Sequence, residues 1–108
     1  MAAFAKQANT YAALLYPNPS PDGNQSRINI YTADGYKLYI LFRSDGTSMP
    51  ANTYNSSTKI GVAYEDVSRY AEYIDLLRNE KPVWVTFNEE AKSFVVYASG
   101  EPVGEEEM

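Results

Sequence analysis

The sequence predicts one α+β domain of about five mostly antiparallel strands, with one helix between the third and fourth. Asp-Gly pairs at 22–23, 34–35 and 45–46 recur between runs rich in Ile, Tyr, Leu and Phe, the mark of a meander. Val67, Tyr70, Ala71, Ile74 and Leu77 then recur at helical spacing. Two more apolar runs follow Pro82. A chain of 108 residues fits a single core, and 44% hydrophobic with 21% charged residues is ordinary for a globular domain.

The first 16 residues read two ways. Phe4, Ala8, Tyr11 and Leu15 fit one helical face and six of the sixteen are alanine, while Thr10 to Tyr16 equally fit a strand. Pro17, Pro19 and Pro21 mark a loop. The first clear strand runs from Arg27 to Ala33 and the second from Tyr36 to Arg43. Residues 44–57 form a loop long enough to be a binding loop. The third strand covers about Lys59 to Tyr64. Glu65 and Asp66 suit the start of the helix, Arg78 its last turn, and Asn79 with Pro82 its end. Strands Val83 to Phe87 and Phe94 to Ala98 close the domain, residues 1–100. Residues 101–108 hold four glutamates and read as a mobile acidic tail.

Register follows from alternation. A two-residue turn at Asp34-Gly35 leaves neither strand face wholly apolar. A three-residue loop, Ala33 to Gly35 with Gly35 left-handed, pairs Ile30 with Leu38 and Ile28 with Ile40, and gathers Phe42 on that same face. The other face then carries Asn29 beside Tyr39 and Tyr31 beside Lys37, with Arg43 at the strand end. In the last hairpin a four-residue loop, Glu89 to Lys92, pairs Phe87 with Phe94 and Val85 with Val96, leaving Trp84 opposite Tyr97. Ile60, Val62 and Tyr64 are expected to point inward and Lys59 outward.

Composition removes many functions. With no cysteine there are no disulfides, thiolate metal sites or thiol nucleophiles, and with no histidine the commonest metal ligand and general base are missing. Carboxylates such as Asp34, Asp45 and Glu65 sit in turns or at a helix start, where they are expected anyway, so the chain reads as non-enzymatic, without metal or cofactor. The net charge is −5, but without the tail glutamates nine bases face ten acids. No apolar run spans a membrane and no secretory signal is evident, so the expected setting is cytoplasmic. Two glycosylation-type triplets, at Asn24 and Asn55, then read as chance.

Ten tyrosines and one tryptophan are the outlier. The face away from the aliphatic positions collects Tyr31, Lys37, Tyr39, Arg43, Lys59, Trp84 and Tyr97, with Tyr54 in the loop beside it. Aromatic rings among cations are what sequence-tolerant binding of single-stranded nucleic acid needs: the rings stack on bases and the cations track phosphates. The strand order also resembles that of the five-stranded OB barrel, and of small SH3-like barrels, in topology alone. The acidic tail resembles those of single-stranded DNA-binding proteins, although it ends in Met108 rather than in an apolar-aromatic group. Two other readings use the same face. It binds a protein partner, as an adaptor, an inhibitor or a homodimer, or the N-terminal segment covers it as a second small core. Carbohydrate stacked on the same rings is a third ligand class.

Overall fold

A strand, not a helix, opens the chain. The computed structural model describes residues 3–18, 23–44 and 49–99. Ala3–Leu15 forms β1, whose first half (Ala3 to Gln7) pairs with β6 (Val83–Asn88) and whose second half (Ala8 to Leu15) pairs with β2 (Asn24–Thr32). A register shift between Ala8 and Thr10 lets one strand change partners. Helix propensity in the alanines loses here because a helix would bury only a narrow stripe, whereas the strand finds partners along its length. Phe4, Ala8 and Tyr11 reach the core from β1, so this segment joins the sheet instead of lying across it.

The remaining elements are β3 (Lys37–Arg43), β4 (Thr53–Asn55), β5 (Ile60–Asp66), α1 (Tyr70–Asn79) and β7 (Ser93–Ala98). Together the strands make one seven-stranded sheet ordered β4-β5-β3-β2-β1-β6-β7. The additions to the expected five are β1 and the short β4 inside the long loop. The helix lies between β5 and β6, the third and fourth of the expected strands. It starts later than expected: Asp66 caps a 3-10 turn, Val67–Arg69, by accepting from the Ser68 amide at 3.0 Å, and α1 follows.

Both hairpin registers agree with the alternation. Ile28 faces Ile40, Ile30 faces Leu38, Asn29 faces Tyr39 and Tyr31 faces Lys37. Asp34 (φ 64°) joins Gly35 (φ 81°) in the left-handed region, and the Thr32 amide bonds the Tyr36 carbonyl at 2.9 Å across the loop. In the last hairpin Phe87 faces Phe94, Val85 faces Val96 and Trp84 faces Tyr97. The meander expectation fails at the next strand. β5 pairs with β3 in parallel, because the long 44–59 connection carries the chain back to the end where β3 began.

The parallel pairing also reverses the faces expected of the third strand. Gly61 pairs with buried Leu38 and Ala63 with Ile40, so those small residues face inward. Ile60, Val62 and Tyr64 stand on the outer face, in register with Lys37, Tyr39 and Leu41. The reason lies at the far end of the sheet. It curls until β7 meets β5, and the Phe94 ring seats directly on Gly61. Inward bulk there comes from β7, and β5 has no room for its own.

The core lines the inside of this half-barrel: Ile28, Ile30, Leu38, Ile40, Phe42, Val85 and Phe87 are all buried. At one end α1 covers it through Tyr70 and Tyr73, whose rings lie 5.1 and 5.6 Å from Phe42. At the other, Phe4, Tyr36, Tyr54 and Phe94 surround Phe87. The Tyr73 hydroxyl donates to Glu65 Oε1 at 2.9 Å, and Arg69 lies 3.6 Å from the same oxygen. Burial first, then the Glu65 carboxylate, pushes the Tyr73 hydroxyl up to about 12. The folded state thus holds this proton where the unfolded chain, near pH 10, has lost it. Stability should fall as pH rises from about 10 to 12, by about 1 kcal/mol after allowance for solvent screening. Tyr73→Phe should remove that part of the alkaline loss in urea titrations at stepped pH.

Candidate ligand-binding face of the sheet

Strand alternation places Tyr31, Lys37, Tyr39 and Arg43 on the outer face of β2 and β3, as expected, all half-buried. Trp84 and Tyr97 lie opposite each other on the outer face of β6 and β7, with Gln7 of β1 beside Trp84. The two groups are separated by β1. Since the sheet curls around its core, the outer face is convex, so the groups point in diverging directions.

Two of the eight residues are not on this face. Tyr54 pairs with Gly61 and turns inward, its ring 6.0 Å from Phe87. Burial raises its hydroxyl pKa, and the neighbouring Glu89 carboxylate adds to the effect. Lys59 sits at the inner rim with its ammonium 4.9 Å from the Tyr36 ring centroid, donating to the Asp34 carbonyl at 3.0 Å. Lys6 approaches the same ring at 5.0 Å and pairs with the Asp34 carboxylate at 3.0 Å. Both lysines therefore brace the β2–β3 turn, and Lys59 is not aimed at a ligand on the outer face. Lys59, just before β5 with φ 62°, departs from its expected outward place because the faces of β5 are reversed and it shares the parity of inward Gly61 and Ala63.

In their place the fold supplies Arg27 and Tyr64. The Arg27 guanidinium carbon lies 4.5 Å from the Tyr39 ring centroid, and that of Arg43 lies 5.4 Å from the Tyr64 centroid. Arg27 Nε donates to Asn29 Oδ1 at 2.7 Å, and Asn29 Nδ2 donates to the Tyr31 hydroxyl at 3.3 Å. The bonded row Arg27–Asn29–Tyr31 holds the guanidinium over Tyr39. Arg27 was legible in principle, since it shares the parity of Asn29 and Tyr31. Tyr64 was hidden by the reversal of β5.

The electrostatics of this face differ from those of the whole chain. Along the outer positions of β2, β3 and β5, Arg27, Lys37 and Arg43 face one carboxylate among the described residues, Asp66, in register with Arg43. Asp66 is held below the usual carboxylate range by the Ser68 hydroxyl and then by the Ser68 amide. A local excess of positive charge thus lies among three rings, on a chain that is acidic overall. Among the described residues no cluster of three or more acidic side chains is arranged to hold a metal ion, and no helix is long and apolar enough to cross a membrane. The acidic tail, residues 101–108, lies outside the described residues, as do residues 45–48 of the loop.

No protein-family model, curated protein or solved structure matches this chain.

Proposed function

We propose that this chain is a non-enzymatic, cytoplasmic binding module that holds single-stranded nucleic acid across the outer face of β2, β3 and β5. Tyr31, Tyr39 and Tyr64 supply stacking surfaces, Arg27, Lys37 and Arg43 hold phosphates, and Trp84 with Tyr97 extend the platform for a longer strand. The observation that carries this reading is the interleaving of rings and cations on one face with a single acid among the described residues. Stacking tolerates any base because every base has a π face, and a guanidinium held over a ring adds a cation to that stacking surface.

Anisotropy of labelled oligo-dT tests it. At low salt the full chain should bind, with affinity falling steeply as salt rises. A variant ending at Gly100 should bind more tightly, having lost the competing glutamates. Tyr39→Ala should weaken binding by about 1–3 kcal/mol, and Arg27→Ala should weaken it and flatten the salt slope by roughly one charge. No binding at low salt by the full chain or by the shortened variant would overturn the proposal.

One observation favours a second reading, in which this face grips a protein partner, as an adaptor or inhibitor does. Tyr39 and Tyr64 already carry guanidinium groups, and paired Tyr and Arg are the residue types enriched at protein-interface hot spots.

A further inference from the structure

The second half of β1 is a sheet edge with no strand beside it among the described residues. β6 pairs only as far as Gln7, while β2 takes the other side from Ala8 to Leu15. The segment preceding β6, Glu80 to Pro82, stands off from Asn9–Tyr11 across a cavity of about 340 Å³. Hydrogen-bond parity shows which groups are left over. The Tyr16 amide bonds the Gln25 carbonyl at 3.1 Å, so even-numbered residues of β1 bond β2. The Thr32 amide, bonding Tyr36 on the β3 side, gives the same parity for β2. The amides and carbonyls of Tyr11, Ala13 and Leu15 therefore point away from the sheet.

This edge lacks the usual side-chain guards. From Gln7 to Tyr16 there is no charged residue and no proline. Leu14 and Leu15 are 37% and 71% exposed, one on each side of the sheet. An exposed, uncharged, apolar edge of this kind is a template for another strand.

We infer that the edge is closed by a second copy of this chain, with β1 pairing antiparallel to β1 of its partner about a two-fold axis at Ala13. The choice of a second copy rests on self-complementarity. Strands without charge meet their own copy with no like-charge contact, and the outward groups match those of an identical strand in reverse. With Ala13 on the axis, Tyr11 lies opposite Leu15 of the partner subunit, and about six backbone hydrogen bonds form. Small side chains sit at the centre and larger ones cover the ends. The product is one continuous sheet in which both copies present their outer faces on the same side. This arrangement stands whether or not that face binds nucleic acid.

Sedimentation velocity on the full chain tests it. The wild type should be a dimer that dissociates at micromolar concentration. Ala13→Lys brings two ammonium groups together on the axis and should weaken dimerisation about 100-fold. Ala13→Pro removes an outward amide without touching the β1–β2 ladder and should act likewise. Circular dichroism should show both variants folded, and Trp84→Ala should leave the dimer intact. A wild type that stays monomeric at high micromolar concentration would overturn the inference. So would a dimer that survives both Ala13 variants, or one that dissociates on Trp84→Ala.

Discussion

Phe87→Ala should destabilise the domain by about 3–5 kcal/mol, a large part of the roughly 5–15 kcal/mol available to a domain of this kind. The side chain is fully buried, and its ring lies 5.4–6.0 Å from those of Phe4, Tyr36, Tyr54 and Phe94. Those rings arrive from β1, the β2–β3 turn, β4 and β7, so collapse around a missing ring would require four separate segments to move together. The cavity should persist, and its cost adds to the lost transfer energy. Urea unfolding would show the drop in midpoint. Amide exchange should accelerate most in β4 and in the first half of β1, which Phe87 ties to the rest. A loss below about 1 kcal/mol would mean that this end of the half-barrel is not packed as described.

Gly61→Val should cost about 2–3 kcal/mol, through crowding and not through backbone strain. A Cβ at Gly61 would lie 2.5 Å from Cε1 and 2.7 Å from Cζ of Phe94, so the ring must leave its seat and open the seam between β5 and β7. In a Phe94→Ala background the same valine should be tolerated, even filling part of the space. The double mutant should therefore be less damaged than the sum of the singles by about 1–3 kcal/mol. The cycle also tests the orientation of β5. If Ile60, Val62 and Tyr64 faced inward instead, valine at position 61 would sit at the surface and couple to nothing on β7.

That orientation marks where reading the residues in order stopped working. The pairs Ile30–Leu38 and Val85–Val96 could be read directly, because a hairpin joins strands through a few residues and its register depends on turn chemistry plus period-2 alternation. β5 has no such tether. Judged alone, Ile60, Val62 and Tyr64 are the apolar set and Gly61 and Ala63 the vacant one, so hydrophobicity chooses the wrong face. The candidate site inherited both outcomes. Tyr31, Tyr39, Lys37 and Arg43 came from a hairpin and are together; Tyr54 and Lys59 came from the crossover and are not. Arg27 over Tyr39 depends on a diagonal contact between strands, which a scheme of directly opposed pairs passes over.

Local alternation by itself determined the α+β class, the two hairpins, the aliphatic core and the aromatic character of the opposite face. The curled shape decided the rest: the parallel place of β5, the small residues under Phe94, the strand made from an alanine-rich N-terminus and the convexity of the outer face. The physical reason is that side-chain period and turn geometry act within a few residues. The curl of the sheet instead brings together Gly61 of β5 and Phe94 of β7, 33 positions apart, and which side chains fit there is known only once both are in place.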